Sequence, residues 1–228
     1  MKVVILAGGL GTRLSEYTKS IPKPMVKILN VPIIVHIMKH YAKYGFKNFL
    51  IAAGYKQKII KNFFSKKKFG WNVQVIDTGQ NTMTGGRIKR LKPYLKNESF
   101  LLTYGDGVSN VNIKKLLRYH KSKKAFVTLT AVKPPARFGA VKIKGSKVTY
   151  FKEKSKLDEG WINGGFFVFE PIIFDYINND QTLLEREPLT RIGKKKKLFA
   201  FKHNKFWQCV DTVRDIEVLE ESLKKTKR

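Results

Sequence analysis

A five-residue apolar run, Val3 to Ala7, breaks directly into Gly8, Gly9, Leu10, Gly11, Thr12 and Arg13. Its length and β-branched content suit a strand buried on both faces, and such strands belong to parallel sheets whose crossover helices cover each side. The glycines behind it admit positive φ and let backbone N–H groups approach a ligand with no Cβ in the way. A fan of such groups is an anion cradle, to which Arg13 adds a planar fork of donors. Ten residues on from Arg13, Lys23 is bracketed by Pro22 and Pro24, which stiffen the backbone on either side of it. Leu14 stands where a dinucleotide fingerprint needs glycine, and no Gly-Lys-Ser/Thr is present, so neither of the two commonest phosphate loops applies.

The strand–helix alternation continues from there. Pro32 to Tyr44 predicts a helix, with Pro32 in its first turn, Gly45 just past its end, and Ile33, Ile34, Ile37, Met38 and Tyr41 at helical spacing. Phe46 to Ala53 and Asn72 to Ile76 read as strands, with a helix from Tyr55 to Phe64 between them. Arg87 to Leu95 reads as a helix preceded by Gly85-Gly86, Ser99 to Thr103 as a buried strand, and Val111 to Lys121 as a helix. Beyond that the pattern changes to strands with short connections: Ala125 to Val132, Ala140 to Ile143, Val148 to Phe151 and Ile162 to Phe169. Such a run implies antiparallel or mixed pairing added to the same sheet. Pro171 to Asn178, Thr182 to Ile192 and Val213 to Lys225 close the chain as helices. The expected class is α/β, a Rossmann-like mixed, mostly parallel sheet flanked by helices, with a strand-rich subregion. One domain over residues 1–228 is expected, 1–122 forming one part and 123–228 the other.

Two acids stand at element ends. Asp106, in Tyr104-Gly105-Asp106-Gly107, follows a predicted strand, where ligands bind in open α/β sheets; an Asx turn is the plainer reading. Asp211 directly precedes the last helix, where an acid also serves as N-cap. His36 and His40 are four apart but lack the glutamate of a zinc-binding HExxH, so core or surface histidines are expected. The single cysteine, Cys209, excludes an internal disulfide and fits a reducing cytoplasm. Neither a signal peptide nor an apolar run of membrane-spanning length is found, so a cytoplasmic chain without membrane partner is expected. The formal charge of +29 would normally suggest nucleic acid. The lysines, however, are spread along the whole chain, outnumber arginine and are not interleaved with aromatics. No nucleic-acid partner is therefore expected, while anionic substrates would be attracted in any case.

Strand, then Leu6-Ala7-Gly8-Gly9-Leu10-Gly11-Thr12-Arg13-Leu14, then Pro22-Lys23-Pro24-Met25 resembles the sugar-phosphate nucleotidyltransferases residue for residue. Asp77-Thr78-Gly79, Met83-Thr84-Gly85-Gly86-Arg87 and Phe206 to Thr212 resemble the branch of that family acting on CTP and glucose 1-phosphate. The resemblance runs to about residue 222. It implies that CTP and glucose 1-phosphate give CDP-glucose and pyrophosphate with Mg²⁺, a precursor for deoxysugar or surface-polysaccharide synthesis. It further implies a nucleotide site of Leu6, Ala7, Gly8, Gly9, Gly11, Thr12, Arg13, Lys23, Thr84, Gly85, Gly86 and Asp106. Arg13 and Lys23 would be catalytic, and Asp106 and Asp211 would hold the metal. Gly139, Glu153, Lys154, Asn163 and Gly164 would bind the sugar phosphate. The chain departs from the family in two places: Ser155 follows Lys154 where proline is common, and the segment from Phe64 to Asn72 is short. The second bears on a possible homo-oligomer. UTP, dTTP or another sugar 1-phosphate is the alternative within enzymes, and a non-catalytic sugar-nucleotide-binding protein the alternative outside them. The presence of Lys23, Asp106 and Asp211 together speaks for catalysis.

Overall fold

The computed structural model describes residues 1–134, 140–152 and 160–226. In chain order its elements are β1 (Val3–Ala7), α1 (Ser15–Thr18), β2 (Lys27–Ile28), β3 (Val31–Pro32), α2 (Ile33–Lys43), β4 (Asn48–Ala53), α3 (Gln57–Lys66) and β5 (Asn72–Asp77). Next come α4 (Thr84–Arg90), α5 (Lys92–Leu95), β6 (Phe100–Tyr104), β7 (Gly107–Ser109), α6 (Ile113–Lys123), β8 (Val127–Val132), β9 (Ala140–Lys144) and β10 (Lys147–Lys152). The chain ends with β11 (Ile162–Asn163), β12 (Phe167–Phe169), α7 (Glu187–Lys194), β13 (Leu198–His203), β14 (Trp207–Cys209) and α8 (Val213–Thr226). Short 3-10 turns lie at Thr12–Leu14, Lys23–Met25 and Pro171–Tyr176.

The strand that opens the sequence is also central in space. β1 runs parallel to β4 on one side and β6 on the other, so that Ile5 lies opposite both Ile51 and Thr103. β5 continues the parallel set beyond β4, while β12 pairs antiparallel with both β6 and β8. The main sheet has eight strands in the order β11-β8-β12-β6-β1-β4-β5, with β13 added alongside β8. This is the expected mixed, mostly parallel sheet. All five residues of β1 are buried. Val3, Ile5 and Ala7 pack with α2 and α8, whereas Val4 and Leu6 pack with α4 and the 173–192 segment. Each fully buried Val, Leu or Ile stabilises the fold by about 1.5–3 kcal/mol, and β1 has no solvent face to which a polar residue could turn.

α2 follows its amphipathic pattern, with Ile33, Ile34, Ile37, Met38 and Tyr41 buried and Gly45 beyond its end at φ +92°. His36 and His40 each bond a main-chain carbonyl, of Ile28 and Val111 at 3.0 and 2.8 Å, as expected of core-side histidines. Elsewhere the elements depart from the sequence pattern for identifiable reasons. The apolar run Ile162 to Phe169 is not one strand. Ile162 lies opposite Val132 and Phe169 opposite Val127, so two extra residues are accommodated between β11 and β12. They form a bulge at Gly164–Phe166 in which Gly165 and Phe166 have positive φ and Phe166 stacks on Tyr41. The expected helix over Thr182 to Ile192 starts only at Glu187, because the Thr182 carbonyl accepts from the N–H groups of Gly85 and Gly86, and Pro188 then sets the first turn. Pro171–Tyr176 is a 3-10 turn, and the helix expected from Arg87 begins three residues earlier, at Thr84. Among the described residues no helix is long and apolar enough to cross a membrane.

Candidate active site

In a parallel α/β sheet the ligand crevice lies at the C-terminal strand ends, where neighbouring connections leave in opposite directions. Here that point is between β1 and β6. From β1 the chain enters Gly8–Leu14, where Gly11 has φ +69° and a Cβ would lie 2.8 Å from Thr18 Cγ2, so both conformation and space require glycine. Lys23 enters from the first residue of its 3-10 turn, with Pro22 and Pro24 at its flanks. Asp106 follows β6. Asp211 reaches it because β14 pairs antiparallel with β7, Cys209 opposite Gly107, and Val210 N–H donates to the Asp106 carbonyl at 3.0 Å. A three-residue ladder thus brings the two acids together.

Lys23 Nζ lies 2.7 Å from Asp106 Oδ2 and 2.7 Å from Asp211 Oδ1, and Arg13 Nη1 lies 2.8 Å from Asp211 Oδ2. The Lys23 side chain is only 13% exposed. Burial alone would pull its pKa down, but the two carboxylates overcome this and raise it above the usual lysine value, so the ammonium is fully charged at neutral pH. Two cavities meet at this cluster and share Arg13, Tyr104 and Asp106. One, of about 400 Å³, is lined by Leu6, Ala7, Gly8, Gly9, Gly11, Thr12, Lys23, Thr84 and Arg87. The other, of about 510 Å³, is lined by Asn163, Gly164, Glu185, Trp207, Cys209 and Asp211.

The sequence-predicted residues therefore divide between the cavities, with two exceptions. Gly85 and Gly86 sit inside the first turn of α4, their N–H groups bonded to the Thr182 carbonyl at 2.9 and 3.3 Å, so those donors are not free for a ligand. Their small size serves packing instead: a Cβ on Gly86 would lie 2.4 Å from the Asp180 carbonyl oxygen. Gly139, Glu153 and Lys154 lie outside the described residues.

Arg87, named in the sequence only as part of a motif, is 4% exposed and forms the floor of the smaller cavity. Its Nη1 donates to Gly79 O at 2.7 Å and Thr78 Oγ1 at 2.8 Å, and its Nη2 to Gly8 O at 2.9 Å and Gln80 O at 3.1 Å. One guanidinium thereby ties the loop after β1 to the turn after β5. A Cβ on Gly8 would lie 2.0 Å from Nη1 and one on Gly54 would lie 2.6 Å from it, so glycine makes the room. Burial draws the Arg87 pKa down, yet arginine stays charged in proteins. Three further residues were given no role from the sequence: Glu185, which lies in no quoted motif, Tyr104, whose side chain bonds Glu185 at 2.7 Å, and Trp207, whose Nε1 donates to Gly164 O at 2.8 Å, the last two appearing only within motif strings.

Asp106, Cys209 and Asp211 place three ligand atoms within 4.8 Å of one another. The two carboxylates already share one cation, the Lys23 ammonium, and their hard oxygens fit a divalent ion of the Mg²⁺ type. Burial, with both aspartates adding to it, pushes the Cys209 thiol far above its usual pKa, which makes it a poor third ligand for a hard ion.

The topology and the cluster define a doubly wound α/β protein whose switch-point crevice gathers Arg13, Lys23, Asp106 and Asp211 beside the Gly8–Leu14 loop. A family model described as nucleotidyl transferase matches residues 2–225, and the chain belongs to that family. Enzymes of this kind use a divalent metal. The glucose-1-phosphate cytidylyltransferase of Salmonella typhimurium is 47% identical to the chain, the match covering 96% of the chain and 95% of the relative. The D-glycero-alpha-D-manno-heptose 1-phosphate guanylyltransferase of Aneurinibacillus thermoaerophilus is 32% identical, with 88% and 89% covered. Among solved structures, HddC of Yersinia pseudotuberculosis complexed with GMP-PN superposes with a TM-score of 0.76 at 26% identity, over 97% of the chain and 99% of HddC.

Proposed function

We propose that the chain transfers the cytidylyl group of CTP to glucose 1-phosphate, giving CDP-glucose and pyrophosphate, with Mg²⁺ as its metal. The observation that carries this reading is the Lys23 ammonium held between Asp106 and Asp211 where two cavities meet. The similarity to the Salmonella cytidylyltransferase supports the choice of nucleotide and sugar. On this reading the smaller cavity takes CTP and the larger the sugar phosphate, so that residues 1–122 mainly carry the nucleotide and 123–228 mainly the acceptor.

A sugar phosphate is largely dianionic at neutral pH, since a phosphate monoester's second pKa is about 6. Its oxygen is already a nucleophile, and no general base is required. The task left to the protein is to bring a dianion against the α-phosphorus of a triphosphate, which is positioning and charge neutralisation. Gly8 to Thr12 and Arg13 cradle the triphosphate. Lys23, at the boundary, offsets the charge that builds up as the pyrophosphate departs. Asp106 and Asp211 would hold the Mg²⁺, which when bound would supply further positive charge against the phosphates. Asn163 and Gly164 face the acceptor, and the family pattern assigns the sugar hydroxyls to Glu153 and the acceptor phosphate to Lys154.

Pyrophosphate release from a panel of CTP, UTP, dTTP and GTP against several sugar 1-phosphates tests the proposal. CTP with glucose 1-phosphate is expected to be the preferred pair, CTP exceeding UTP by at least about tenfold in kcat/KM, the worth of one hydrogen bond to a base edge. Equal use of UTP or dTTP would overturn the cytidylyl assignment and leave nucleotidyl transfer standing. Binding without turnover of any pair would favour a non-catalytic protein.

A further inference from the structure

Tyr104, the last residue of β6, lines both cavities, as do Arg13 and Asp106. A line of hydrogen bonds passes through Tyr104. Asn163 Nδ2 donates to Tyr104 Oη at 3.2 Å, and the Tyr104 hydroxyl donates to Glu185 Oε1 at 2.7 Å. From the other side Thr84 Oγ1 donates to Glu185 Oε2 at 2.7 Å and itself accepts from the Leu184 N–H at 3.0 Å. Asn163 and Glu185 line the larger cavity, and Thr84, the first residue of α4, lines the smaller. Burial and the neighbouring Glu185 hold the Tyr104 hydroxyl well above its usual pKa, so it stays a donor.

The carboxylate in the middle has each oxygen on a different hydroxyl, and charge-assisted bonds this short are directional. Displacing Tyr104 therefore disturbs the seat of Thr84, and the reverse. The Thr84 side is not free to adjust alone. Gly85 and Gly86 N–H groups donate to Thr182 O, and Met83 N–H donates to Asp180 O at 2.8 Å, so the start of α4 and residues 180–185 shift as one piece. Arg87 on that same helix then carries any shift to Gly8 O and Gly79 O.

We propose that Glu185 is a positioning residue that couples the two substrate sites: a ligand in either cavity orders the line from Asn163 through Tyr104 and Glu185 to Thr84, and so raises the affinity of the other cavity. The proposal rests on the assignment of nucleotide and sugar phosphate to the two cavities made above. Ordering of the shared line is then met once for two ligands, which gives positive cooperativity, and by linkage the effect is the same in both directions.

The experiment is calorimetric binding of α,β-methylene CTP, which cannot react, to the full chain with Mg²⁺, in the absence and presence of saturating glucose 1-phosphate. In the wild type the second ligand is expected to tighten the first by roughly fivefold or more, the low end of ordinary coupling between sites. In Glu185→Ala, and independently in Tyr104→Phe, the coupling is expected to fall below roughly twofold while each variant still binds the nucleotide analogue alone. Glucose 1-phosphate titrated first must show the same factor. Coupling that survives in both variants, or is absent from the wild type, overturns the proposal. So does a Glu185→Ala protein that merely binds glucose 1-phosphate more weakly with coupling intact, since Glu185 would then be a direct sugar contact. Should the turnover panel select another nucleotide or sugar phosphate, the same cycle run with that pair still decides the role of Glu185, so the two readings fail separately.

Discussion

Replacing Arg87 by methionine keeps an unbranched apolar stem in the same slot and removes the guanidinium. Four bonds of 3.1 Å or less are lost, to Gly79 O, Thr78 Oγ1, Gly8 O and Gln80 O, together with a longer one of 3.4 Å to Ala53 O. Gly8 O keeps the Tyr55 N–H at 3.2 Å, so the turn after β5 suffers most. A hydrogen bond to a charged group contributes about 1.5–3 kcal/mol, which puts the gross loss at about 6 kcal/mol or more. Against it stands the return of a desolvation penalty of several kcal/mol for a charge that is 4% exposed. The net expectation is about 3 kcal/mol, equivalent to a fall in Tm of about 6–12 °C for a chain of this size. The Gly8 loop and the 79–82 turn, both on the nucleotide cavity, lose their common tie, so kcat/KM for CTP should drop at least about tenfold, with the KM for glucose 1-phosphate moving less. Arg87→Lys should fare little better, because an ammonium is a single point that cannot reproduce a planar fork. Scanning calorimetry and initial rates check both parts. An Arg87→Met protein melting within about 2 °C of wild type and using CTP unimpaired would refute the argument.

Asp106→Asn and Asp211→Asn should each leave a folded protein whose Mg²⁺-dependent turnover falls roughly a hundredfold or more, the worth of a few kcal/mol of charge stabilisation; near-normal rates at saturating Mg²⁺ would remove that residue from the metal site. Gly86→Ala drives a Cβ to 2.4 Å from Asp180 O and 2.5 Å from Asp180 Cα, both backbone atoms, and should cost about 1–3 kcal/mol by overpacking; an unchanged Tm contradicts the close approach of α4 and the 180–182 turn. Burial lowers the pKa of His40 and of His203, with Lys43 and His203 near the first and Lys205 near the second adding to it, while carbonyl bonds to Val111 and Phe206 oppose it. The unfolded chain then binds protons below about pH 6.5 that the folded chain refuses, so this stability is complete above pH 6.5 and is lost as pH falls from there toward the folded-state values. The fall in Tm between pH 7 and 5 should be shallower in His40→Gln than in wild type, and equal slopes would exclude a contribution from His40.

The parts of the fold that were legible in the sequence are those set by local pattern. β1, β4 and β6 are continuous apolar runs because both their faces are covered, and α2 carries its period and its Pro32 and Gly45 punctuation openly. β13 carries a weaker mark, the four apolar residues Leu198 to Phe201. Leu198–His203 follows a lysine run, is largely half-exposed, and becomes a strand because β8 offers it an edge. The bulge between β11 and β12 is likewise a matter of register against β8, which the letters of one strand do not contain. In the site, Gly8 to Arg13, Lys23, Asp106 and Asp211 stood out as motifs, whereas Tyr104 and Glu185 meet across 81 residues of sequence and matter only through that meeting. Arg87 is the sharper case. In the sequence Arg87 stands only as the last residue of the Met83-Thr84-Gly85-Gly86-Arg87 motif, Gly8 belongs to the anion cradle, Gly79 to Asp77-Thr78-Gly79, and nothing marks Gly54. The guanidinium can be buried because Gly8 and Gly54 leave its volume free, and the turn at Gly79 presents one of the carbonyls that satisfy its donors. Three glycines and one arginine on four segments are the imprint of a single planar cation, and no rule applied to one residue at a time carries that information.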